Sequence, residues 1–204
     1  MHPNAAFRHD DRALLESLID EIGFGMVFAA TPDGPRVAHV PVLWAAAKVQ
    51  FHLSRGNALT RHIGGATALI VINGPDSYVS PRYYADPAQV PTWNYLAIEL
   101  EGPVRQIDPD GLLAELEALT ARQEARIAQG QPWTMDKMPA DTLRRMLGGI
   151  TGFEMDVLAW RPTFKLSQNK PMDERARVAD GLEAEGSTAI AQLMRAFAEH
   201  EGAR

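Results

Sequence analysis

The stretch FGMVFAATPDGPRVAHVPVL, Phe24 to Leu43, decides the fold class. Two apolar runs flank Thr31-Pro32-Asp33-Gly34, and an Asp-Gly pair between such runs is a strong hairpin signal. The reading predicts strands over Phe24 to Ala30 and Arg36 to Leu43, joined as an antiparallel pair. On the second strand Ala38, Val40 and Val42 share one face, while Val37, His39 and Pro41 share the other, because successive strand side chains point to opposite sides. The first set suits a barrel interior. The second places an imidazole beside a proline, which cannot donate to a ladder and marks an edge, a bulge or a strand end.

Outward from this hairpin the pattern stays mostly strand. Asp10-Asp11 opens a helix before it, with Leu14, Leu15, Leu18, Ile19 and Ile22 on one stripe and Gly23 as its stop. After it come strands over Val49 to Ser54 and Ala68 to Asn73, separated by a short polar link, and a long strand over Leu96 to Ile107. The period then becomes helical from Asp110 to Ala128, where Leu112, Leu116, Leu119 and Ile127 recur, and again from Ala140 to Leu147. Gly152 to Trp160 and Thr163 to Leu166 return to strand. The tail closes with a helix whose Ile190, Leu193, Met194 and Phe197 form an apolar face. No Gly-rich dinucleotide or phosphate-loop fingerprint follows any strand, so Gly64-Gly65 and Gly148-Gly149 read as turns. The fold class expected is mainly β with α (α+β): a small antiparallel barrel with inserted and appended helices, not a doubly wound sheet. Ala68 to Ile72 is apolar on both faces, which calls for a cover outside the barrel, a helix or a second subunit.

Composition sets the outer limits. The chain has 204 residues, 46% hydrophobic and 23% charged, which suits one domain with appendages and an ordinary globular core. A net charge of −6 disfavours broad attraction to nucleic acid or anionic membranes. There is no cysteine, which removes disulfides, thiolate nucleophiles and Cys-ligated zinc. No apolar run is long enough to span a bilayer and residues 1–11 lack a signal-peptide core, so the expected location is the cytoplasm.

Two strings read as ligand-binding: Val90-Pro91-Thr92-Trp93-Asn94-Tyr95 and Phe164-Lys165-Leu166-Ser167-Gln168-Asn169-Lys170. Each interleaves aromatic or apolar side chains with amides, a hydroxyl or a cation, the mixture that holds a planar ligand with polar edges. A packed core alone would not ask for Trp93, Asn94 and Tyr95 in a row, because each brings polar atoms that must find partners. Trp93, Tyr95 and Ala97 share one strand face, opposite Asn94, Leu96, Ile98 and Leu100. A third segment, Arg55-Gly56-Asn57 followed by Thr60-Arg61, offers glycine, a hydroxyl and two guanidinium groups near a helix start, which suits a phosphate monoester or serves as a polar turn with a cap. His39, His52 and His62 are scattered and lack a carboxylate motif, so no metal site is expected of them.

Taken together, these residues resemble the PaiB-like family of transcriptional regulators, related to FMN-binding split-barrel proteins. The resemblance runs through Ala38 to Pro41, Gly56-Asn57 with Arg61, Asn73 to Pro81, Tyr84, Val90 to Tyr95, Gly152-Phe153 and Lys165 to Lys170. It implies a six-stranded antiparallel split β-barrel over residues 1–170, with a helical insertion at about 108–148 and a helical extension over 171–204. It also implies a homodimer with FMN in clefts at the subunit interface. Carried onto this chain, it sets His39, Val40 and Pro41 along the flavin ring, and His52, Leu53, Ser54, Arg55, Asn57, Thr60 and Arg61 toward the phosphate. Trp93, Asn94 and Tyr95 would wall the cleft, and Lys165, Gln168 and Asn169 would close it. Family members often carry a proline and then an aromatic after the glycine-asparagine pair; Ala58, Leu59 and Thr60 stand there instead. The function implied is FMN binding, with a flavin-dependent oxidoreductase of unassigned substrate as one reading. A flavin- or metabolite-sensing regulator without catalysis is the second, and a haem-binding relative using His39, His52 or His62 the third.

Overall fold

A computed structural model describes residues 4–202 of the chain; residues 1–3 and 203–204, at the ends of the two expected segments, lie outside the described residues. Helix α1 (Arg12–Ile22) ends at Gly23, whose amide bonds back to Ile19 O at 2.8 Å and whose φ of +62° is the left-handed conformation glycine adopts without strain. Strands β1 (Phe24–Thr31) and β2 (Gly34–Pro41) follow as the expected hairpin, with Met26 opposite His39 and Phe28 opposite Val37. The tight turn itself is Pro32-Asp33, and Gly34 takes φ +98° just after it.

The structure corrects the strand count: the described residues form eight strands rather than six. Part of the reason lies at Val42, whose amide bonds to Gly23 O and so leaves the β2 ladder. The chain restarts as β3 (Leu43–Ala45) and turns through Ala46 and Ala47, at φ +51° and +62°, into β4 (Lys48–Ser54). Two positive φ values suit the twist of a two-residue hairpin, but the usual Asn-Gly signature is absent, so the turn was not legible. Strand β5 (Thr67–Val79) and strand β6 (Thr92–Gln106) both run longer than expected, β5 past Gly74-Pro75 and β6 from before Trp93. After α2 (Pro109–Glu124) and α3 (Ala140–Leu147), the two expected strands over 152–160 and 163–166 appear as β7 (Ile150–Asp156) and β8 (Ala159–Lys165), with the break earlier than expected, at residues 157–158. Leu158 N bonds across to Glu101 O at the break. The tail holds two helices rather than one, α4 (Met172–Ala184) and α5 (Thr188–Gly202).

The hydrogen-bonded order is β2-β1-β5-β6-β7-β4-β3, with β8 on β6, and the pairs β1–β2, β1–β5, β3–β4, β4–β7 and β6–β7 are antiparallel. Among the described residues this path is open, so the sheet is not a closed barrel. The class is α+β, a mainly antiparallel sheet with five α-helices. No helix among the described residues is long and apolar enough to cross a membrane.

By contacts the chain forms two compact units, one of residues 1–11, 73–98 and 161–204, the other of residues 12–72 and 99–160. In the second unit Phe51 stacks on Phe153 with ring centroids 5.7 Å apart, and Val27, Val49, Ile70 and Met155 are buried. In the first, Phe164 and Phe197 lie 5.1 Å apart with the His9 ring against both, and Val178, Leu182, Ile190 and Met194 are buried.

Candidate functional site

In the second unit, β4 delivers the chain into the turn expected to meet a phosphate. Asn57 Oδ1 caps a short 3-10 turn (Ala58–Arg61) by accepting from Leu59 N at 2.9 Å, and Thr60 Oγ1 donates to Ser54 O at 2.7 Å. Ser54 Oγ accepts from Gly56 N at 3.3 Å. Ser54, Asn57 and Thr60 therefore each use one side-chain oxygen to tie the loop to itself. Arg55 and Arg61 remain exposed at its ends: among the described residues the Arg55 side chain makes one contact, 3.5 Å from Nε to Ile150 O, and Arg61 has no ion pair. β2 packs against the same turn. On that strand Val40 is buried, Pro41 half-buried and His39 exposed.

Leu53 points into the core, while His52 beside it lies half-buried on the opposite face of β4. His52 Nδ1 sits 3.0 Å from Oε1 of Glu115, a residue of α2 whose side chain is fully buried and whose Oε2 has no hydrogen-bond partner. This contact fixes the imidazole ring. Glu115 was not singled out from sequence; it stands among the leucines of α2, where a carboxylate would ordinarily face solvent.

In the first unit the alternation of β6 separates the Trp-Asn-Tyr string. Asn94 turns inward at 1% exposure, whereas Trp93 on the other face is 53% exposed. Asn94 Nδ2 donates to Ser167 Oγ at 2.9 Å and also reaches Met194 Sδ at 3.3 Å. Asn94, Lys165 and Asn169 line one cavity of about 240 Å³. Ser167 and Lys170, inside the string read as ligand-binding but not named singly for the flavin, line it too, as does Tyr84. Tyr84 and Lys170 lie in the segments that carry the family resemblance, so a signal existed.

The electrostatics of that cavity are one-sided. Lys165 Nζ donates to Thr92 Oγ1, and burial pushes its pKa below the ordinary lysine value. Lys170 Nζ donates to Gln89 Oε1 at 2.8 Å and lies 5.4 Å from the centre of the Tyr84 ring. Burial raises the pKa of Tyr84; a hydrogen bond with Ser167 opposes that shift and the Glu174 charge adds to it.

Trp93 and Tyr95 line a different cavity of about 270 Å³ with Asn73, Gly74, Asp76 and Leu96. The Tyr78 ring stands edge-on to Trp93 at 6.3 Å. Gly74 permits the close approach of two strands here, since a Cβ would fall 2.9 Å from Leu96 Cδ2. Gln168 lines neither cavity. Its Oε1 accepts from Leu166 N at 2.7 Å and its Nε2 donates to Phe164 O, which braces a bend where Ser167 holds φ +63°. The side chain is structural, and its neighbours do the lining.

Comparison with known proteins adds a family. The one described as "Putative FMN-binding domain" matches residues 1–159. The chain is 27% identical over 182 residues to "Protease synthase and sporulation protein PAI 2" of Bacillus subtilis, covering 87% of this chain and 86% of that one. It is 30% identical over 144 residues to an uncharacterized protein of Emericella nidulans, covering 62% of this chain and 57% of the other. Among solved structures it is similar to the FAD and heme binding protein from Mycobacterium smegmatis, with a TM-score of 0.61, 20% identity and coverage of 82% and 77%. A flavocytochrome from Azotobacter vinelandii gives a TM-score of 0.59, 13% identity and coverage of 83% and 74%. At these identities the two structures share the fold with this chain.

Proposed function

The chain belongs to the family of FMN-binding domains and has FMN as its cofactor, and on that premise we propose that it is a flavin-dependent oxidoreductase of the PaiB-like group, with the flavin phosphate on the Ser54 to Arg61 turn. The observation that carries the placement is the division of labour in the turn. One oxygen each of Ser54, Asn57 and Thr60 orders the loop before a ligand arrives, while the guanidiniums of Arg55 and Arg61 are left to meet the anion. Pre-ordering removes part of the entropy cost of binding. The departure from the family's usual proline at Ala58 costs little, because the Asn57 cap and the Thr60 hydroxyl fix the loop instead.

When bound, FMN supplies the electron chemistry, and the protein supplies orientation and electrostatics. His39, Val40 and Pro41 offer a strand surface for the ring, with His39 exposed on it. His52, held by Glu115, is the side chain best oriented to give or take a proton, since one ring nitrogen is engaged and the other left available. Trp93 and Tyr95 present aromatic walls to one cavity, and Asn94, Lys165 and Asn169 present polar groups to another. A homodimer fits this reading. Met26, Phe28, Val37, His39, Leu69 and Val71 form two cross-strand rows on one face of β2, β1 and β5, where Val37 is 43% exposed. A second copy would cover that face.

The test is to compare FMN with riboflavin, which lacks the phosphate. FMN should bind more tightly, and Arg61→Ala should lower FMN affinity about tenfold or more while leaving riboflavin affinity unchanged, as removal of a charge-assisted hydrogen bond predicts. Equal losses for both ligands would place the phosphate elsewhere.

A further inference from the structure

We propose that the cavity lined by Lys165 and Lys170 binds the carboxylate or phosphate group of a small metabolite, at a place separate from the flavin phosphate. Two ammonium groups line one space of about 240 Å³, and no Asp or Glu lines it. Each ammonium is oriented by neutral partners only, Lys165 by Thr92 and Lys170 by Gln89 and the Tyr84 ring. Among the described residues neither lysine makes an ion pair. Neither ammonium is therefore paired inside the cavity, where the Glu174 charge acts on the Tyr84 wall and not through an ion pair to either lysine, in a chain whose net charge is −6. An uncompensated, partly buried charge is costly, and a bound anion is the counter-charge that removes the cost.

The neutral lining completes the site. Asn94, Ser167 and Tyr84 are buried and hydrogen-bonded among themselves, so they hold a fixed polar wall rather than a mobile one. Asn169 and Thr92 stand at the same cavity with amide and hydroxyl groups. The volume lies just below the usual range for drug-sized ligands, about 300 Å³ and upward, so the occupant is a small acid or phosphate ester rather than a second ring system. Anion binding in this cavity does not rest on the flavoprotein reading above.

The experiment measures thermal unfolding of the wild type and of Lys165→Met, with millimolar inorganic phosphate or acetate against chloride at equal ionic strength. Both series are run with and without saturating FMN, whose binding is followed in the same samples by fluorescence. The expected result is a saturable rise in the wild-type midpoint that persists under FMN and is absent in Lys165→Met. Should that variant fail to fold, Lys170→Gln, at a half-buried side chain, takes its place with at least a severalfold loss of anion affinity. A shift that saturating FMN removes would show that the cavity takes the flavin's own phosphate, and would overturn the proposal. So would a shift of equal size in the lysine variants, or none in any protein. Anion binding without FMN binding would leave this site standing and remove the flavoprotein reading.

Discussion

At Lys165 burial works against the charge of the ammonium. Burial holds its pKa below the ordinary value of 10.5, so the folded protein binds this proton less tightly than the unfolded chain does. Below the depressed value the ammonium is charged in both states and carries its full cost to the fold. As pH rises from there toward 10.5 the unfolded chain keeps the proton longer, and stability gains. Tyr84 runs the opposite way: its raised pKa gives stability that is complete below the ordinary value of 10.0 and is lost as pH rises through the raised one. Replacing Lys165 with Met isolates the first effect. The difference in urea midpoint between Lys165→Met and wild type should be largest near pH 7 and shrink toward pH 10; a constant difference would mean the ammonium is fully solvated. The residue scale is also where the sequence misled. Gln168 and Asn169 look equally suited to a ligand, yet only Asn169 lines the cavity, because Gln168 is used by its own bend. Local backbone demands of that kind leave no mark on residue type.

Among the elements, α2 is tied to β4 by a contact that should respond unequally to its two partners. Glu115 is fully buried with one oxygen lacking a hydrogen bond, so it depends on His52. His52→Ala should cost about 3 kcal/mol by stranding the carboxylate, whereas Glu115→Met should be close to neutral, because an apolar side chain of similar volume needs no partner. Equal losses in chemical denaturation would mean that the pair contributes through packing rather than charge. The β3–β4 hairpin offers a gain instead. Ala47 holds φ +62°, a conformation that costs a residue with a Cβ roughly 1–2 kcal/mol, so Ala47→Gly should stabilise the protein by up to about 1 kcal/mol after glycine's extra chain entropy is counted. A measured loss would show that the Ala47 side chain makes contacts that matter more than the turn. Element type was well marked where the period was strong, as in α1 and the β1–β2 hairpin. It failed where breaks depend on tertiary hydrogen bonds, at Val42 and Leu158, and where a helix buries few apolar residues, as α4 does with Val178, Ala179 and Leu182.

At the scale of the whole molecule, strand alternation carried most of what sequence could say. It put Ala38, Val40 and Val42 inside and Trp93 opposite Asn94, and burial follows that pattern. It could not say how many strands the chain makes or that their path stays open, since these depend on pairings distant in sequence. The family resemblance supplied FMN, which no spacing of residues identified by itself. The account therefore stands or falls on the flavin. The measurement that tests it most directly is an equilibrium titration of FMN with the purified protein, following flavin fluorescence to saturation. The account predicts saturable quenching with one FMN per chain, weakened by Arg61→Ala. Fluorescence that stays at its free value through an excess of folded protein would contradict it.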